Sequence, residues 1–360
     1  MEKIFVSKFI ELFMKIIRKK FDQLNEKEIK AWQNFTTYDS SCSSPFYQYD
    51  FARLLSETNL YVAVIIGYQD DDVKFLVPFQ FASGLNRLIG VAQQLGGHLS
   101  DYSGVISQHG FDKTIIVEQC LIDYMLFDHA PNSSITRQLV KELQFQEESS
   151  QVLIKGPLEE YLAQIKIKNS NFLREIAETE QQLVEKYGAI HFIFHNEYEM
   201  HLELFFKYHK KHCDELNVRD PLANENDKKL IRKLHQLQGN RLKPVLSTLY
   251  AGDTWLATHL GIEANGVIHY WFHIENKAIA HYIPAKHLLL KVIKAAFEKK
   301  LHCIDLGFGH ADINKQFGNN RMNFFCNHQV PLYKGVIVGS SLKGKISRVV
   351  QSLKWRFYRS

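Results

Sequence analysis

Hydrophobic positions recur along this chain with two periods. Tyr61 to Ala82 (YVAVIIGYQDDDVKFLVPFQFA) is a β-branched run, a polar turn at Gln69 to Asp72, then alternating residues ending near Pro78. Pro244 to Ala264 (PVLSTLYAGDTWLATHLGIEA) has the same grammar around Ala251-Gly252-Asp253. Each predicts a β-hairpin. A Gly-containing stretch follows each one, Leu95 to Ile106 and Gly266 to Ile274, and then more helix and strand pattern, so the chain reads as a duplicated α/β unit. Between the two, Pro157 to Gly188, Glu197 to His212 and Asp227 to Leu237 are helical in pattern, with polar Asn217 to Asn226 interrupting them. Further on, Gly266 to Ile274 reads as a strand. Pro284 suits the first position of a helix whose apolar stripe is Leu288, Leu289, Val292, Ile293, Ala296 and Phe297, and Leu301 to Leu306 reads as a buried strand. No Gly/Ser-rich linker separates the parts, which predicts two units packed together with a boundary near residue 155.

Composition narrows the class. The 360 residues are 45% hydrophobic and 23% charged, enough for about two domains, and no apolar run is long enough to span a bilayer. Five cysteines with no Cys-x-x-Cys predict neither a disulfide framework nor a zinc ribbon, and fit a reducing, cytoplasmic compartment. The net charge of +5 sits at the ends: residues 1–20 carry six basic and two acidic side chains, and residues 341–360 carry six basic and none acidic. The body is therefore mildly acidic, which argues against nucleic acid as a partner. Residues 1–20 predict an amphipathic basic helix and residues 339–360 a basic tail. Both suit an anionic surface, which would place the chain peripheral to the inner face of a membrane. Oligomeric state is not legible.

Several chemistries are excluded by pattern. No Gly-x-Ser-x-Gly and no Walker loop occur. Asp305-Leu-Gly-Phe-Gly-His310 lacks the third glycine of a dinucleotide fingerprint, because position 312 is Asp. His209, His212 and Cys213 lie at helical neighbour spacing, but without a fourth ligand at a recognised spacing they do not predict a metal centre. The helix start at Pro284, by contrast, offers backbone N–H groups and a positive dipole end that suit a phosphate, with Lys286 and His287 in its first turn.

The stretch YIPAKHLLLKVIKAAFEKKLHCIDLGFGHADINKQFGNN, with VLSTLYAGDTWLATHLGIEANGVIHYWFH upstream and LGGHLSDYSG in the first half, resembles the CelD/BcsL-like acyltransferases, cellulose-biosynthesis-type members of the GNAT superfamily. The likeness spans about residues 45–320. It implies an α/β fold of two packed GNAT-like units, each a mixed, mostly antiparallel sheet flanked by helices: residues 21–155, and residues 156–338 carrying the acyl-CoA site. It also implies acetyl-CoA or another acyl-CoA as donor, and an amine or hydroxyl of a sugar or cell-envelope precursor as acceptor. Asp305-Leu306-Gly307 and Gly309 match the family's Asp-Leu-Gly-x-Gly, and Lys315 with Phe317 its Lys-x-x-Phe. Where the family usually has Pro-Gly this chain has Pro284-Ala285, and where a Tyr commonly precedes the Lys it has Asn314.

Acyl transfer from a thioester needs a neutral nucleophile, a donor for the developing oxyanion and a route for the leaving thiolate. Asp305, His310 and Asp101 are the candidate catalytic residues, with Asp312 a further strand-end carboxylate. Tyr270, His273, Pro284, Ala285, Lys286, His287 and Lys315 are the candidates for holding the donor, and Tyr282 is an alternative phenolic group to Tyr270. Each has a structural alternative: Asp305 as a loop cap, His310 as a surface histidine, Asp101 with Tyr102 as internal polar partners. Two other functions share the architecture: a Fem-type aminoacyl-tRNA-dependent peptidyl transferase, and a catalytically degenerate GNAT-fold binding protein.

Overall fold

The computed structural model describes residues 14–38, 43–59, 61–88, 91–108, 124–127, 130–131, 145–239, 241–308, 312–326 and 334–336. The chain divides into two compact units, residues 1–147 with 323–360, and residues 148–322. The first boundary thus falls a few residues before the expected one near 155. The second falls well before 338, with residues 323–360 joining the first unit.

The first unit opens with β1 (Met14–Lys20) and α1 (Glu26–Tyr38), followed by α2 (Tyr49–Ser56). Then come β2 (Val62–Gln69), β3 (Asp72–Gln80), α3 (Gly84–Leu88) and β4 (Val91–Gln94). Short strands β5 (Ile106–Ser107), β6 (Tyr124–Phe127) and β7 (Ala130–Pro131) complete its first segment. The expected first hairpin is present as β2–β3. Its turn is made by Asp70 and Asp71, both at positive φ (51° and 65°), the twist a two-residue hairpin turn requires. Strand order is β1-β2-β3-β4-β6, with β5 also on β3. β7 pairs with Phe324 and Phe325, which fall to the same unit.

The helix expected over residues 1–20 is corrected in its described part. Met14–Lys20 is an extended strand that pairs antiparallel with β2 from Met14↔Gln69 to Lys20↔Ala63. The free edge of β2 supplies a hydrogen-bond ladder, and β-branched Ile16 and Ile17 fit a pleated surface, so tertiary pairing overrides the helical spacing. Residues 1–13 and the tail at 339–360 lie outside the described residues.

The second unit runs β8 (Phe145–Leu153), α4 (Leu158–Lys168), α5 (Phe172–Tyr187), β9 (Ile190–Ile193), α6 (Glu199–Leu216), α7 (Glu225–His235), β10 (Lys243–Ala251), β11 (Thr254–Ala264) and β12 (Val267–Glu275). Then follow α8 (Pro284–Glu298), β13 (Cys303–Asp305), α9 (Asp312–Phe317) and β14 (Asn320–Cys326), whose last residues fall to the first unit, as does β15 (Lys334–Val336), which pairs with β6. The sheet order is β14-β8-β13-β12-β11-β10-β9. The second expected hairpin is β10–β11, and an Asn265-Gly266 turn with both residues at positive φ leads into β12. Mixed, mostly antiparallel sheets flanked by helices are the expected architecture.

Helix α8 forms where its pattern predicts. Pro284 stands at its first position, and Leu288, Leu289, Leu290, Val292 and Ile293 are buried with α4 and α5 residues Tyr161, Ile165, Phe172, Ile176 and Leu183. Each such side chain is worth about 1.5–3 kcal/mol of burial, so packing holds this helix against the sheet. The residue ahead of it, Ile283, sits at φ 50°, ψ 50°, a left-handed conformation in which a β-branched residue is a true outlier.

Candidate active site

Strands β12 and β13 pair in parallel, and they stay together for three residues only: Val267↔Cys303, Ile268↔Ile304 and His269↔Asp305. β12 then runs on to Glu275 while β13 ends. At the same point the β11–β12 ladder shifts register, with Leu260 opposite Phe272 and Ile262 opposite His269, which leaves Gly261 facing two residues, Tyr270 and Trp271. This bulge requires glycine. A Cβ at Gly261 would lie 2.5 Å from the His269 carbonyl oxygen and 2.5 Å from His259 Nε2. Bulges of this kind re-aim side chains beside functional sites.

Two buried polar groups meet there. The His259 and Tyr270 rings stack at 3.8 Å and 4°, and neither His259 Nε2 nor Tyr270 Oη has a hydrogen-bond partner among the described residues. Burial raises the Tyr270 pKa, so the phenol keeps its proton and remains a donor. Burial, helped by His273 and His269, holds the His259 pKa well below its usual value, so the ring is neutral. Sequence reasoning singled out Tyr270 but missed His259, whose only signal is its place in a hairpin opposite His273. His273 itself is exposed, its ring 5.7 Å from Tyr270.

Asp305 ends β13 and is buried, 3% exposed. Its Oδ1 accepts from Ser149 Oγ at 2.6 Å and from the Gly307 N–H at 2.9 Å, and Gly307 turns the chain at φ 71°. The carboxylate thus organises the turn after the strand, the structural alternative the sequence left open. Asn314 Nδ2 donates to Leu306 O at 3.2 Å, so this amide holds the chain just after β13. His310 and Gly309 lie outside the described residues, as does the Asp312 side chain. Asp101 belongs to the first unit, is half-buried and is not without a partner.

The helix start expected to cradle a phosphate is occupied by the protein itself. Pro284 has no N–H, the Ala285 N–H donates to Glu275 Oε2 at 3.2 Å, and the N–H groups of Lys286 and His287 bond to Ile283 O. Lys286 Nζ pairs with Glu175 at 3.0 Å and lies over the Phe172 ring. His287 is buried, with Nε2 2.9 Å from Thr179 Oγ1 and Nδ1 3.5 Å from Glu180, a loose ion pair at best. With Lys291 beside it, this histidine holds the Glu180 carboxyl down to about 2 against the cost of burial. Tyr282 packs edge-on to Tyr187. None of these groups lines the cavity that lies on α4 and α9.

An open cavity of about 520 Å³ in the same unit lies on α4, α9 and the start of β14, lined by Lys168, Lys315, Arg321, Ser150, Gln164 and Asn319, among others. Lys315 is the one predicted donor-site residue found there. Elsewhere, His209 Nδ1 contacts Asp220 Oδ1 at 3.0 Å and Cys213 Sγ at 3.8 Å, and the three groups lie within 4.8 Å of one another. This set was incomplete in the sequence because Asp220 arrives through the loop after α6. It is satisfied by its own hydrogen bonds, with burial raising the Cys213 pKa and lowering that of His209.

A family model described as an acetyltransferase (GNAT) domain matches residues 170–314, which takes in α5 through α9 and hence the parted strands. No protein of curated function matches the sequence. Among solved structures, one of FemX shares the fold with a TM-score of 0.57 and 9% identity, covering 87% of this chain and 98% of that one. A conserved protein of unknown function from Bacteroides thetaiotaomicron gives 0.51 at 12% identity over 86% and 98%. The C-terminal domain of a putative lysylphosphatidylglycerol synthetase from Agrobacterium fabrum gives 0.50 at 7% over 84% and 92%. Residues 170–314, within the second unit, thus match an acetyltransferase domain, and the class of the enzyme is acyltransferase. The likeness to these structures extends over both units as a likeness of fold.

Proposed function

We propose that the protein transfers an acyl group from a thioester donor, acyl-CoA, to an amine or hydroxyl of a polar acceptor of the sugar or envelope-precursor type, at the point where β12 and β13 part. The observation that carries this reading is the parting itself. It coincides with the Gly261 bulge and with two buried polar atoms, Tyr270 Oη and His259 Nε2, that lack partners among the described residues. Buried polar groups are nearly always paired, so an unpaired set beside a strand gap marks a place for a ligand's polar atoms.

In this reading the acceptor nitrogen or oxygen bonds to the carbonyl carbon as the carbon–sulfur bond breaks. The sulfur leaves as thiolate and takes up a proton, and the proton lost by the acceptor passes to a base. Tyr270, protonated at all physiological pH, donates to the oxyanion or to the leaving sulfur. His259 is a positioning residue that fixes the Tyr270 ring by stacking. Asp305 positions the Gly307 turn, and His310 is retained as the candidate base. The finer resemblance to CelD/BcsL-like enzymes enters through Asp305-Leu306-Gly307 and Lys315, and supports a saccharide acceptor. The reading does not depend on the α8 start, which Glu275 already caps.

The test is coenzyme A release from short acyl-CoA donors in the presence of amino-sugar acceptors. Release is expected, with kcat reduced about 10²- to 10³-fold in Tyr270→Phe, the range for removal of one transition-state donor. Absence of release with every short acyl-CoA overturns it in favour of a second reading, an aminoacyl donor of the Fem type. The Glu275 cap favours that alternative, because it fills the place a donor diphosphate would take. No helix among the described residues is long and apolar enough to cross a membrane. Attachment to an anionic surface through the basic ends remains part of the proposal, tested by salt-dependent liposome sedimentation.

A further inference from the structure

The cavity on α4 and α9 gathers three cations from three elements: Lys168 near the end of α4, Lys315 in α9 and Arg321 in β14. One carboxylate answers them. Glu148 pairs with Arg321 at 2.5 Å, whereas Lys168 donates only to the carbonyl oxygens of Lys315 and Gly318, and Lys315 has no ion-pair partner among the described residues. Lys168 is held in place by neutral acceptors while desolvation and the nearby Arg321 lower its pKa, so the fold keeps like charges together at a cost. Such a cluster around a concavity concentrates anions.

The cavity also adjoins the turn that Asp305 organises. Ser150 lines it, and the Ser150 carbonyl oxygen accepts the Leu306 N–H at 2.9 Å, while its neighbour Ser149 bonds to Asp305. Asn314, also in the lining, holds Leu306 O. A group seated here is therefore one hydrogen bond from the Asp305–Gly307 turn. At about 520 Å³ the space takes much more than a lone oxyanion, in the range for a small organic ligand. Free lysines act as point-charge partners for phosphate, and the arginine is already engaged by a carboxylate.

We infer that this cavity binds a phosphate group carried by one of the two substrates, with Lys168 and Lys315 as its ligands and Arg321 at its rim. The inference rests on the acyl-transfer reading for its purpose and is tested apart from it. Binding of inorganic pyrophosphate to the full chain is followed by calorimetry for the wild type, Lys315→Gln and Lys168→Gln. Because Lys168 also ties down two carbonyl oxygens, Lys315→Gln, which breaks no hydrogen bond given above, is the variant that keeps the test clean. The expected result is binding weakened at least tenfold in Lys315→Gln at an unchanged ligand-free melting temperature. Pyrophosphate affinity equal to wild type in that variant overturns the inference. Competition then identifies the source: displacement of a hexosamine phosphate assigns the phosphate to the acceptor, and displacement of coenzyme A but not of pantetheine assigns it to the donor. Displacement of neither overturns the inference as well. Tight pyrophosphate binding without any acyl transfer sinks the acyl-transfer reading and leaves the site. Transfer with an unchanged KM for phosphorylated substrate in Lys315→Gln does the reverse.

Discussion

Replacement of Asp305 separates a residue that organises a turn from one that takes a proton. In Asp305→Ala the Gly307 N–H loses its acceptor in a buried place and Ser149 loses its 2.6 Å bond to the carboxylate while keeping the 3.1 Å bond to Gly307 O. Hydrogen bonds to a charged group contribute about 1.5–3 kcal/mol each, and an orphaned buried donor costs about 1–3 kcal/mol. Relief from burying the charge offsets part of this, leaving a loss of about 3 kcal/mol. With a urea dependence of about 2–3 kcal/mol per molar, that loss moves the unfolding midpoint down by about 1 M. Asp305→Asn keeps an oxygen where Oδ1 stands, so it costs about 1 kcal/mol and leaves the Gly307 turn in place. Urea unfolding gives the stability of both variants, and coenzyme A release gives their activity. The positioning role predicts activity within about threefold of wild type in Asp305→Asn. A loss of a general base costs about 10²- to 10⁴-fold. An Asp305→Asn protein that is as stable as wild type yet slowed more than a hundredfold refutes the positioning role and makes Asp305 the base.

Other substitutions probe the surrounding construction. Glu275→Ala removes both the negative charge and the acceptor oxygen from the α8 start, at about 0.5–2 kcal/mol of stability. It releases the Ala285 N–H, and calorimetry should show acetyl-CoA binding several-fold tighter; an unchanged Kd places the donor diphosphate away from α8. Gly261→Ala drives a Cβ to 2.5 Å from the His269 carbonyl oxygen, which backbone cannot evade, so thermal or urea unfolding should report a loss of about 1–3 kcal/mol. An unaffected variant would mean that the bulge is easily remodelled. The Glu180 carboxyl, depressed to about 2 in the folded state, contributes stability that is complete above the ordinary carboxylate range and is lost as pH falls from about 4.5 towards 2. The group is partly solvated, so the contribution is about 1 kcal/mol after screening. Glu180→Gln should flatten that part of the stability–pH curve, and a curve identical to wild type would contradict it.

The hairpins, the helices between Pro157 and Leu237, and the β12–α8–β13 crossover were legible because each carries a local signal: a turn residue pair, a helical stripe, a proline at a helix start. Met14–Lys20 was not, because the edge of β2 decides its conformation and that edge is distant in sequence. The site divides the same way. Asp305 and Lys315 stand at motif positions and Tyr270 in a strand with a clear pattern, so the sequence could single them out. His259, Ser149, Lys168 and Arg321 come from four separate strands and helices, and only tertiary contacts bring each beside its partner. The helix start at Pro284, expected as an open phosphate cradle, carries a cap for a related reason. The carboxylate that fills it, Glu275, lies ten residues upstream at the end of β12, and the acids that hold Lys286 and His287 come from α5.

Amide hydrogen exchange of the full chain with and without acetyl-CoA reaches the central claim directly. Donor bound where the parallel strands separate should slow exchange in Tyr270–Glu275 and in Asp305–Phe308. Exchange unchanged in both segments while acetyl-CoA binds elsewhere on the chain would contradict it.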